Sequence, residues 1–101
     1  MRDYLYADDV ARAIVSIAEL ADFRGEAINV ASGEAVSIRA LAEEIFRLLG
    51  ITAPPSFSGE PLPGSPDRWR ADVSRLRSLG LPEASWSRGL PATIEWIRGV
   101  L

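Results

Sequence analysis

Glu26-Ala27-Ile28-Asn29-Val30-Ala31-Ser32-Gly33-Glu34-Ala35-Val36-Ser37-Ile38-Arg39-Ala40-Leu41 is the stretch on which the fold turns. Residues 26–30 are short and mostly apolar, and they read as a largely buried strand. Ala31-Ser32-Gly33-Glu34 reads as a turn, with Gly33 placed for a positive φ. Ser37 is a good N-cap, because its hydroxyl can accept from the unpaired amides of a helix start. Beyond it Ile38, Leu41, Ala42, Ile45, Phe46, Leu48 and Leu49 make one wide apolar stripe at helical spacing, closed by Gly50. A strand, a turn and a helix in that order predict an α/β domain.

Upstream the same alternation recurs. Asp3-Tyr4-Leu5-Tyr6 reads as a short strand, with at least one tyrosine expected in the core. Val10, Ala13, Ile14, Ile17, Ala18 and Ala21 place a helix over residues 8–21. Asp8 and Asp9 open that helix, where carboxylates accept from free amides and face the positive end of the dipole. Capping is preferred to a catalytic carboxylate pair, because adjacent helix residues do not face one another. Phe23-Arg24-Gly25 separates this helix from the strand that follows.

Downstream, residues 51–66 hold five of the seven prolines, which excludes a helix there. Ser56-Phe57-Ser58 suits a short edge strand, and Arg68-Trp69-Arg70-Ala71-Asp72 reads as extended. Asp72 or Ser74 caps a short helix bearing Leu76 and Leu79, stopped by Gly80. A last helix runs over 87–100, with Leu90, Ile94, Trp96 and Ile97 as its apolar set and Pro91 in its first turn. Trp86 and Trp96 are expected in the core. The sum is one domain, residues 1–101, of three main helices, one short helix and three to four short strands.

Composition narrows the chemistry. Of 101 residues 48% are hydrophobic and 25% charged, the balance of an ordinary globular domain. There is no Cys, His, Lys or Gln, and all 11 cations are Arg. Disulfides, thiol nucleophiles, Cys/His zinc sites, a Ser-His-Asp triad, a Gly-Lys-Ser/Thr phosphate loop and a Schiff-base lysine are therefore all excluded within this chain. No carboxylate cluster suggests a metal site, and no residue is nominated as catalytic. A net charge of -3 argues against a nucleic-acid partner. No apolar run approaches the roughly 20 residues of a membrane span. Met1-Arg2-Asp3-Tyr4 has no leader pattern, and the lack of cysteine fits a cytoplasmic location.

Arg2-Asp3-Tyr4-Leu5-Tyr6-Ala7-Asp8-Asp9-Val10-Ala11-Arg12-Ala13 resembles a signature of the extended short-chain dehydrogenase/reductases, the NAD-dependent epimerase/dehydratase family that acts on nucleotide-sugars. Glu26 to Glu34 is similar to that family's Asn-containing strand and Ser/Thr-Gly turn, and Val36 to Ala42 to the helix after it. Ala71 to Leu76 and Gly89 to Trp96 are similar to its last two signatures. Five motifs in order cover essentially the whole chain. They cover only the family's C-terminal third. The Gly-x-x-Gly-x-x-Gly turn and the Tyr-x-x-x-Lys pair are not here; four residues after Tyr4 stands Asp8, and four after Tyr6 stands Val10.

The resemblance implies that residues 1–34 pack on a nucleotide domain, with residues 35–101 mostly substrate domain and terminal helix. It implies an apolar face over 8–30 and an open strand edge through which copies self-associate. It implies NAD(P) in the parent family and none bound by this chain alone. Met1 immediately before the Arg2 motif suggests a truncation point or an internal start.

Four residues are singled out as substrate-binding. Arg2 matches a family arginine that contacts the diphosphate, which a planar guanidinium suits. Arg68, Trp69 and Arg70 offer two guanidiniums flanking an indole, a set that can hold phosphate and stack on a base or sugar. An edge strand with its arginines in solvent accounts for these three equally well. The family's Arg-Pro-Gly-Asp loop matches Leu62-Pro63-Gly64-Ser65, with Leu62 in place of the arginine and Ser65 in place of the acid. The expected function is the substrate side of a nucleotide-sugar epimerase/dehydratase, inactive alone. The alternative is a small protein-interaction or oligomerisation module that has lost its ligand.

Overall fold

Helical spacing is realised almost where the apolar stripes place it. The computed structural model describes residues 1–82 and 84–101, and within them lie α1 (Ala7–Leu20), α2 (Ile38–Leu49), α3 (Ser74–Ser78) and α4 (Trp86–Val100). The Ser37 hydroxyl accepts from the Ala40 amide at 3.0 Å and opens α2. Gly50 closes it in the left-handed region, φ 72°. Both ends of α2 follow from local chemistry.

The strands do not form. The described residues are 46% helix and 2% strand and form no sheet, so the α/β reading is replaced by a helical one. One antiparallel bridge, Arg2 with Val36, is the β pairing among the described residues. Apolar alternation marks a segment able to join a ladder, but a strand exists only when a neighbour supplies the hydrogen bonds. Residues 26–30 find side chains instead. The Ala27 carbonyl accepts from the Arg75 guanidinium at 2.7 Å, and the Asn29 amide side chain donates to the Asp72 carbonyl at 3.1 Å. Residues 3–6, 56–58 and 68–72 likewise have no ladder partner among the described residues.

Three finer expectations also change. No side chain caps α1; Tyr6 is its N-cap residue, and Asp8 and Asp9 lie in the first turn, where they complement the dipole alone. Pro91 sits inside α4 rather than in its first turn, because the helix begins at Trp86 and reaches Pro91 in the second turn. Trp96 is 66% exposed, and Trp86, Tyr4 and Tyr6 are only half-buried.

Packing is sparse. Val36 and Val73 are the buried apolar residues, and Ser32 the buried polar one. The radius of gyration is 16.2 Å, against about 13 Å for a closely packed chain of this length. Only α2 and α4 pack against one another among the described helices. Leu48 of α2 and Pro91 and Ile94 of α4 line one shallow hollow between them. The chain start makes the other joint. Gly89 of α4 is buried, and a Cβ placed on it would lie 2.3 Å from Cβ and Cγ of Tyr6. The backbone of α4 thus rests directly on the Tyr6 side chain.

Candidate functional site

Residues 1–3 organise the surface around them. The bridge to Val36, with Arg2 N to Val36 O at 2.9 Å and Val36 N to Arg2 O at 2.7 Å, fixes the Arg2 backbone against a buried residue. The Arg2 guanidinium then reaches the Pro-rich loop. It donates to the Pro66 carbonyl at 2.9 Å and to the Ser65 hydroxyl. Its Cζ stands 5.7 Å from the centroid of the Trp69 indole, within cation–π range. The Trp69 amide donates to the Met1 carbonyl at 3.1 Å, and the terminal ammonium donates to the Asp67 carbonyl. The loop that departs after α2 is therefore tied back to the chain start at both Arg2 and Met1.

Of the four singled-out residues the structure brings Arg2 and Trp69 together. Trp69 remains 58% exposed, so its indole face is accessible. Arg70 turns elsewhere, its Nε donating to the Gly33 carbonyl at 2.9 Å. Arg68 is exposed and holds no bond among the described residues. Leu62 is 76% exposed and offers no charge. Ser65, noted only as a replacement for an acid, proves to be a partner of Arg2.

Asp3 does work that its spacing did not announce. One carboxylate oxygen accepts from the Ser32 amide at 3.0 Å and the Ser32 hydroxyl at 2.8 Å. The other accepts from the Gly33 amide at 2.8 Å. Charge-assisted bonds of this kind are about twice as strong as neutral ones. They hold a turn in which Gly33 has φ +77° and in which a Cβ would meet Val73 Cγ2 at 2.8 Å. Only glycine fits both the conformation and the space.

Two further groups are electrostatically tuned. The Tyr6 phenol is held above its ordinary pKa by its hydrogen bond to Asp8 and by the negative charge of that carboxylate. Asp72 lies below the usual aspartate range because its carboxylate accepts from the Ser74 hydroxyl and from the Ser74 amide at 2.9 Å. The expected cap by Asp72 or Ser74 is not what starts α3: Val73 is its N-cap residue, without a side-chain cap, and the Asp72–Ser74 pair spans it.

The hollows of the surface lie away from Arg2 and Trp69. A cavity of about 320 Å³, walled by Leu5, Val30, Val73 and Leu76 and bearing Arg12, sits between α1, α3 and the start of α4. A more open one of about 790 Å³ holds Arg70, Arg77 and Arg88. Arg77 and Arg88 border both and were not singled out from sequence. No periodicity marks them, because they meet Arg70 only through the tertiary fold. No group of His, Cys, Asp or Glu able to hold a metal occurs among the described residues. No described helix is long and apolar enough to cross a membrane.

No family model matches the chain, and no solved structure matches it. Curated relatives do. GDP-L-fucose synthase 1 of Arabidopsis thaliana is 36% identical over 98 residues, which cover 95% of this chain and 29% of that protein. GDP-L-fucose synthase of Escherichia coli K12 is 34% identical over 105 residues, covering 95% of this chain and 32% of its own length. A probable GDP-L-fucose synthase 1 of Oryza sativa subsp. japonica is 30% identical over 98 residues, covering 95% and 29%. The chain thus matches proteins named GDP-L-fucose synthase along nearly its whole length, and it spans less than a third of each of these relatives.

Proposed function

We propose that the chain is the substrate-side, C-terminal portion of an extended short-chain dehydrogenase/reductase acting on a nucleotide-sugar, and that its ligand is a GDP-hexose. The observation that carries this reading is the match over 95% of the chain to proteins named GDP-L-fucose synthase. The geometry then supports a place for the ligand. Arg2 is held in position by its bridge to Val36 and by two bonds to the loop, which leave further N–H groups of its five for phosphate oxygens. The Trp69 indole offers a face for a sugar or base. Arg68 stands next to it in sequence and adds positive charge to that of Arg2, whereas Arg70 is turned to the Gly33 carbonyl. With Leu62 uncharged, the diphosphate depends on Arg2 and Arg68.

On this reading the chain is inactive alone. A bound nicotinamide supplies hydride chemistry, and the residues that hold and use it in the family, Gly-x-x-Gly-x-x-Gly and Tyr-x-x-x-Lys, do not occur in these 101 residues. The residues present do not fit NAD(P).

Backbone amide NMR with GDP-, UDP- and dTDP-hexoses added in turn tests the reading. GDP-hexose is expected to move Arg2 and residues 68–70 saturably, and Arg2→Ala to weaken binding about tenfold, the loss of one charge-assisted contact. A well-dispersed spectrum unmoved by all three at millimolar ligand overturns it. That outcome favours the second reading, a protein-contact module. What supports the second is α1, where Ile14, Val15 and Leu20 are each more than half exposed. The strand edge expected to carry self-association is not formed among the described residues.

A further inference from the structure

We propose that the hollow between the Gly33 turn and the start of α4 binds a phosphate group of a small molecule through Arg70, Arg77 and Arg88. The three side chains line one open hollow of about 790 Å³ together with Gly33, Glu34 and Ser85. They come from three separate places: the segment after the Pro-rich loop, α3, and the first turn of α4. No single helix face accounts for their meeting. Arg70 is fixed by its Nε bond to the Gly33 carbonyl, 2.9 Å, which leaves its two terminal nitrogens for another acceptor. Arg77 Nη2 lies 3.4 Å from the point where a Gly33 side chain would begin, so a second guanidinium stands at the same turn. Arg88 completes the set, beside a helix start that no side chain caps.

Like charges brought together repel, and a shared anion relieves that repulsion. Arg77 and Arg88 each hold interactions elsewhere in the chain, so the site rests on the density of positive charge and not on vacant donors. Glu34 is the acid on the described wall. Asp3 lies behind the turn, its carboxylate taken by the Ser32 and Gly33 amides. Three guanidiniums outweigh Glu34. A carboxylate offers two oxygens to such a set. A phosphate monoester offers three, at angles that planar forks from several directions can each meet. Arg2 and Trp69 do not line this hollow, so the inference is independent of the nucleotide-sugar reading.

The full chain is titrated with inorganic phosphate against sodium chloride of equal ionic strength, and the amides of Gly33, Glu34, Ser85 and Arg88 are followed by NMR. Saturable shifts are expected, with a dissociation constant on the order of 1 mM. Arg77→Gln and Arg88→Gln should each weaken binding about tenfold, whereas Arg98→Gln, at the far end of α4, should not. Absence of saturation in the unsubstituted chain overturns the proposal. So do shifts confined to residues 1–3 and 69, or saturation that survives the Arg77/Arg88 double replacement. Where those variants lose their dispersed spectra, Arg70→Gln serves in their place, and unchanged affinity in it is equally fatal.

Discussion

Gly89→Ala is expected to destabilise the chain by about 2–3 kcal/mol, the range of overpacking in a tight contact. The sign is the informative part. Alanine in a helix interior ordinarily gains about 1 kcal/mol over glycine, because it restricts the unfolded chain. At Gly89 the new methyl would fall 2.3 Å from both Cβ and Cγ of Tyr6, and 2.8 Å from Cδ2. The base of a side chain cannot swing aside as a flexible tip can, so either α4 or residues 2–6 must shift. Gly99 supplies the control in the same helix, since nothing lies within 4 Å of a Cβ there. Gly99→Ala should be neutral or gain up to about 1 kcal/mol. Urea unfolding followed by circular dichroism measures both. Equal effects at the two positions would show that α4 does not rest on Tyr6.

Asp3→Ala is expected to remove about 3 kcal/mol, because it strips three donors of one charged acceptor and leaves the buried Ser32 hydroxyl and two amides to find others. Asp3→Asn should fall between, since the amide keeps one acceptor oxygen and loses the charge. Glu34→Ala, one residue past the same turn but exposed, should stay within about 0.5 kcal/mol. Amide exchange at Ser32 and Gly33 gives a local readout: it should accelerate in both Asp3 variants. Unchanged exchange there would mean that the turn holds itself.

What could be read in advance divides by range. Ser37 and Gly50 bracket α2 correctly because capping is settled within four residues. The starts of α1 and α4 came out within one residue although no side chain caps either, because the apolar spacing marks them. The strands failed because ladder partners lie far away in sequence, and here Arg75 takes the Ala27 carbonyl while the Asn29 side chain reaches the Asp72 carbonyl. The site divides likewise. Arg2 and Trp69 were legible as residue types suited to phosphate and to stacking. That Arg2 lies on Ser65, 63 residues away, was not. Nor was the convergence of Arg70, Arg77 and Arg88, which no spacing encodes. Asp3 stood inside a quoted motif, yet its role emerged only from the turn it faces.

The scarcity of buried apolar residues has a calorimetric consequence. Unfolding raises the heat capacity in proportion to the apolar surface newly hydrated. With Val36 and Val73 the only buried apolar side chains among the described residues, and neither wholly withdrawn from water, that increment should fall well below the roughly 1.2–1.5 kcal/mol/K usual for about 100 residues. The stability curve is then shallow, and the thermal transition of the isolated chain broad. A partner that covers α1 would be expected to sharpen it.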